Sequence, residues 1–168
     1  MNNQLIRHTI SVLVENRPGV LARVSGLFAR RGFNIDSLAV SATEDPTISR
    51  MTVVTTGDER HLEQIIKQLD KLIDVINILD HTGEDLIKRE IALVKVRATL
   101  ENRSEIMQLA TVFRAAVASI SPREETMIVE ITGESERVDA FLETLANFKI
   151  LELVRGGQVA LVRGAKLT

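Results

Sequence analysis

The sequence predicts an α+β protein of two successive βαββαβ units, each a four-stranded antiparallel sheet with two helices on one face. Three observations lead there. Apolar residues switch between a period of two and a helical period in the order strand, helix, strand, strand, helix, strand. The same order runs again after a polar joint at Thr82-Gly83-Glu84-Asp85. With 168 residues, 45% of them hydrophobic, the chain is long enough for one domain or two small ones. The repeat is one of pattern, not of residue identity.

The first strand is expected over Leu5–Val14, with Ile6, Ile10, Val12 and Val14 on one alternating face. A helix follows almost without a linker and carries Val20, Leu21, Val24, Leu27 and Phe28 at helical spacing. Pro18 suits its first position, because proline lacks the N–H that would be unpaired there and has φ already set. Arg30-Arg31-Gly32 closes it, with cations at the negative end of the dipole and a glycine for the left-handed cap. Ile35–Ser41 reads as a second strand, Glu44-Asp45-Pro46-Thr47 as a hairpin turn and Ile48–Thr56 as a third strand. Asp58 is a good N-cap for a helix that buries Leu62, Ile65, Ile66 and Leu69. A fourth strand over 73–79 completes the unit. In the second half, strands are expected at Ile91–Ala98, Ala118–Ser121, Met127–Thr132, Ile150–Val154 and Val159–Val162. Helices are expected from Ser104 to about Val117 and over Ser135–Phe148. Gly156-Gly157 is most simply a hairpin turn. The expected division is 1–81, a linker at 82–86, and 87–168.

The stretch from Asn16 to Asn34 carries the functional signal. The Pro18-Gly19 turn opens the first helix, whose free N–H groups and dipole favour an anion such as a carboxylate. Gly19 has no side chain, so a ligand can come close. Asn16 and Asn34 are expected at strand ends beside the turn, where their amides can accept from an ammonium and donate to a carboxylate. The set suits a free amino acid. Pro-Gly and asparagine are also ordinary turn chemistry.

Other classes lose support from composition. A net charge of −2 gives no reason to expect nucleic acid. RNA modules of this topology stack bases on strand aromatics, yet all five phenylalanines fall in or beside helices. There is no cysteine, which excludes disulfides, thiolate metal sites and cysteine nucleophiles. His8, His61 and His81 have no metal-ligand spacing and are expected at the surface. Arg30-Arg31 reads as a helix-end charge pair, and Asp36-Ser37 has no histidine partner at readable distance. No nucleophile, base and oxyanion site assemble. No apolar run reaches the length of a membrane span and the first residues show no signal-peptide pattern, so a cytoplasmic location is expected.

The run ENRPGVLARVSGLFARRGFNIDSLAVSATEDPTISRM resembles the small, regulatory subunits of acetolactate synthase (acetohydroxyacid synthase). The likeness continues through LEQIIKQLDKLIDV and REIALVKV and returns at RGGQVALVRG. Pro-Gly-Val-Leu marks the broad ACT ligand-binding family, and RRGFNIDSL followed by a proline-containing hairpin and SRMT is particular to these subunits. The resemblance implies an ACT domain over 1–81 and a second ferredoxin-like domain over 87–168. It implies a non-catalytic, cytoplasmic homodimer that binds and activates the catalytic subunit in branched-chain amino-acid synthesis. It further implies feedback inhibition by a branched-chain amino acid, usually valine, bound between ACT domains of two chains. Carried across by motif, Asn16, Gly19 and Val20 come from the strand–helix turn, and Asn34 and Ile35 from the start of the second strand. Ser41 stands where relatives carry a small residue, which would make the pocket floor slightly more polar. No cofactor is implied for this chain; thiamine diphosphate, magnesium and FAD would belong to the partner. A free-standing amino-acid sensor acting on another target is the alternative, weakened because no helix-turn-helix precedes the block.

Overall fold

In a computed structural model, which describes residues 5–166, the chain runs β1 (Ile6–Glu15), α1 (Val20–Arg31), β2 (Ser37–Ala42), β3 (Ile48–Gly57), α2 (Glu59–Leu69) and β4 (Val75–Asp80). It continues with β5 (Leu86–Arg97), α3 (Arg103–Val112), β6 (Ala116–Ser121), β7 (Thr126–Gly133), α4 (Ser135–Leu145), β8 (Ile150–Arg155) and β9 (Val159–Val162). The two βαββαβ orders are present, with strand orders β2-β3-β1-β4 and β6-β7-β5-β8. All pairings within each path are antiparallel.

In the first unit the alternation of β1 puts Ile10, Val12 and Val14 at 0% exposure, facing Val20, Val24, Leu27 and Phe28 of α1 and Leu62, Ile65 and Leu69 of α2. Ile66 is only partly buried, and Leu21 is exposed. Asp58 caps α2 as expected, accepting from the His61 N–H at 2.8 Å. Gly32 adopts the left-handed cap of α1 at φ 70°. The start of α1 differs. Val20 N–H reaches Arg17 C=O at 3.4 Å, with Pro18 and then Gly19 at the corners and Gly19 at φ 84°, ψ −9°. Those angles make a type II turn, which needs positive φ at its third residue. Helical geometry therefore begins at Val20, and Pro18 belongs to the turn rather than to the first helical position.

The histidines are not the surface residues expected. His8 shares the alternating core-facing positions of β1 and is 1% exposed, with its ring nitrogens bonded to Gly57 C=O and the Thr82 hydroxyl. His81, 3% exposed, lies between Ser11 Oγ at 2.9 Å and Glu84 Oε2 at 2.8 Å. His61 is half-buried against Phe33, ring centroids 4.1 Å apart, over a glycine that leaves room for it. A Cβ at Gly57 would stand 2.5 Å from the His61 ring.

In the second unit Ala92, Val94 and Val96 of β5 face Ile106 and Ala110 of α3 and Val138, Phe141 and Leu145 of α4. Helix α3 stops at Val112, five residues before the expected end. Arg114 takes φ 50° without being glycine, and the Ala115 N–H folds back to Ala110 C=O at 2.7 Å. That is a left-handed helix stop, and the Arg137 guanidinium donates to the Phe113 carbonyl it exposes. Beyond it β6 begins at Ala116, with a bulge between Val117 and Ser119. Gly156-Gly157 is not a hairpin: β8 and β9 both pair with β5, not with each other.

The chain divides into one compact unit of 1–87 with 158–168 and another of 88–157. The division expected from the sequence, by contrast, places 158–168 with the second domain. The segment is tied to the first unit by Gln158 N–H to Ser37 Oγ at 2.7 Å and by Arg163 with Asp85 at 2.9 Å. A Lys166–Glu84 ion pair adds to these. No described helix is long and apolar enough to cross a membrane.

Candidate functional site

The β1–α1 turn is held by hydrogen bonds to Asp74, to the β2–β3 hairpin and to α1. Glu15 N–H bonds Asp74 C=O at 2.9 Å, and Asn16 N–H bonds Thr47 C=O at 2.7 Å. The Asn16 side-chain amide donates to Pro46 C=O at 2.8 Å, fixing the β2–β3 hairpin beside the turn. From one helical turn further on, Arg23 reaches back, as helical side chains do, and forks onto Asp74: Nε to Oδ2 at 2.7 Å and Nη2 to Oδ1 at 2.9 Å. These hydrogen bonds hold the Asp74 carboxyl below the ordinary carboxylate range, against a smaller opposing effect of desolvation. They raise the Arg23 guanidinium correspondingly. Among the described residues no side chain caps α1, and no acidic residue stands in its first turn. Apart from the Val20 N–H, which bonds Arg17 C=O, the helix start keeps first-turn donors and the positive dipole end that attract an anion.

The five residues expected at the effector site do not meet within one chain. Asn16 follows β1 at the Ile48 end of β3, whereas Asn34 accepts at its carbonyl from Thr55 Oγ1, at the other end of that strand. Seven residues at about 3.3 Å each put the two asparagines roughly 23 Å apart. Asn16 and Gly19 are exposed, but the Val20 side chain is 2% exposed and belongs to the core. Only its backbone faces the turn. Asn34 is exposed, donating to Asp36 Oδ1 at 2.6 Å, while Ile35 packs half-buried on the core. The expectation that Asn34 lies beside the Pro18-Gly19 turn is corrected by the antiparallel order: β2 starts where β1 starts, not where it ends.

Sequence reading missed two features. The Arg23–Asp74 pair joins positions 51 apart, and only the Arg at the fifth position after the turn's proline could have pointed to it. The Ser11–His81–Glu84 chain has the order of a nucleophile, base and acid, yet Ser11 is 0% exposed. It works as a buried tie, and its acid end reaches Lys166, which with His81 holds the Glu84 carboxyl below its ordinary range. Ser41 lines a groove of about 860 Å³ on the sheet face opposite the helices, with Leu13, Arg50, Leu79, Leu161 and Lys166.

Comparison with known proteins covers both units. Residues 10–77 match the AHAS small subunit-like ACT domain, and residues 89–164 match the small subunit of acetolactate synthase. The chain is 52% identical over 160 residues to a probable acetolactate synthase small subunit of Methanothermobacter thermautotrophicus, covering 95% of this chain and 94% of that one. It is 49% identical to the acetolactate synthase small subunit of Mycobacterium leprae, over 95% and 93% of the two chains. The crystal structure of an acetolactate synthase small subunit from Thermotoga maritima superposes with a TM-score of 0.88 at 40% identity, over 96% and 99%.

Proposed function

The chain belongs to the acetolactate synthase small-subunit family, and from that premise we propose that it is a regulator without chemistry of its own. It binds the large, catalytic subunit, raises its activity and transmits inhibition by a branched-chain amino acid, with valine the first choice. Thiamine diphosphate, magnesium and FAD belong to the large subunit.

The observation that carries this reading is the uncapped start of α1 behind Gly19, next to the exposed Asn16. It offers donors to a ligand carboxylate, with Asn16 at its side. The distance to Asn34 is resolved by a second copy. Strand β2 is an edge of its sheet, and an unpaired edge is a template for pairing. Antiparallel pairing of two β2 strands about a two-fold axis reverses one against the other. The start of β2 in one copy then faces the Asn16 end of the other. Two equivalent sites result, each taking Asn16 and Gly19 from one chain and Asn34 and Ile35 from the second.

The test is the activity of the large subunit reconstituted with this chain, with and without valine. Asn16→Ala or Asn34→Ala leaves ligand groups unpaired, at about 1–3 kcal/mol each. That raises the valine concentration needed for inhibition by about 5- to 150-fold, while activation persists. Unchanged inhibition in both variants would place the effector site elsewhere. Activation lost along with inhibition would mean that this turn contacts the large subunit.

A further inference from the structure

We propose that Arg23 is the specificity-determining residue of the effector site, its guanidinium selecting a ligand that carries a carboxylate. The inference rests on the functional reading above and adds to it a residue that the effector motif does not contain.

Two of the three guanidinium nitrogens are engaged by Asp74, whose side chain is 10% exposed against 49% for Arg23. The pair is thus polarised, with the carboxylate inside and the cation outside. A two-point fork also fixes the plane of the guanidinium, which a single contact would not. The third nitrogen, Nη1, is left over the Gly19 turn, 3.2 Å from where a Cβ at that position would stand. Beyond the turn's own neighbours Nη1 is, among the described residues, the one atom within 4 Å of that position, and neither Asp74 oxygen comes so close. The other charged pair at the turn, Arg17 with Glu15 at 3.1 Å, is more exposed, at 70% and 38%, so water screens it more. Arg23 N–H bonds Gly19 C=O at 3.0 Å, the first backbone bond of the helix, which sets the position of Arg23 against the turn.

A purely structural ion pair and a carboxylate-selecting cation are separable by calorimetry and thermal unfolding of the full-length chain, with L-valine and its uncharged-terminus analogue L-valinamide. The wild type should prefer valine. Arg23→Gln should weaken valine by at least about tenfold, as expected for loss of a charge-assisted hydrogen bond, and leave valinamide nearly unchanged. The exchange variant R23D/D74R rebuilds the pair with its polarity reversed. It should recover most of the unfolding temperature lost in Arg23→Gln without recovering valine binding. Valine binding in R23D/D74R equal to wild type would overturn the proposal, as would equal weakening of valine and valinamide in Arg23→Gln. A wild type that takes up neither compound would overturn the effector reading itself, and the role of Arg23 with it.

Discussion

At Gly19 the backbone turns through φ 84° with the Arg23 guanidinium over it. An L-residue in that conformation costs about 1–2 kcal/mol, so Gly19→Ala should lower stability by that amount in a urea titration. It should also weaken valine binding, because the new methyl group crowds the approach. Asp74 gives a pH signature. Its carboxyl titrates below the ordinary range in the folded protein because Arg23 binds its ionised form. A carboxylate depressed by folding contributes stability above its unfolded pKa, and the contribution disappears as pH falls through the folded value. The stability gap between wild type and Asp74→Asn should therefore be widest near neutral pH and close on acidification. A gap unchanged down to pH 2 would contradict the pairing. The Pro18-Gly19 turn was legible because its angles are written in local residue types. The Arg23–Asp74 fork was not, since neither residue is unusual in its own segment and only the fold brings them together.

Helices and strands were legible wherever one face repeats, as in β1, α1, α2 and β5. The errors fall where a local rule is overridden. Helix α3 ends at Val112 and is stopped by Arg114, a non-glycine residue at φ 50°, so no glycine marks the stop. Arg114→Gly should relieve the strain and stabilise the protein by about 1 kcal/mol in denaturant unfolding. His8 has the parity of Ile10 and Val12 on β1, although a histidine's polarity alone sets it at the surface. Its ring nitrogens find partners at Gly57 and Thr82 that the strand pattern alone does not reveal. Strand β5 contributes Glu90, 6% exposed, whose partner Arg155 comes from β8 and also reaches Asp139 at 2.6 Å. Hydrogen bonds to Glu90 and Asp139 raise the Arg155 guanidinium despite its partial burial, the largest single effect in the other direction. Arg155→Met strands a buried carboxylate and should cost about 3 kcal/mol by the same measurement. A cost under half that value would mean that water replaces the arginine.

For the whole molecule, the two-unit organisation was visible as a repeated order of elements, and the family match extends over both units. The proposed site reads in the sequence as a set of residue types, and one copy of the fold does not bring them to one place. The motif names Asn16 and Asn34 together, and the sheet sets them at opposite ends of one strand's length. A site shared between two copies reconciles the motif with the sheet, and it can be tested without the large subunit. Asn16→Ala and Asn34→Ala chains should each bind valine poorly alone, because each homodimer spoils both of its sites. Mixed, unfolded and refolded together, they form heterodimers in which one site receives both asparagines intact and the other neither. Calorimetry of the mixture should then recover about a quarter of the wild-type number of sites, at wild-type affinity, if chains pair at random. A mixture that binds no better than its two components would contradict a shared site and return the effector to a single chain.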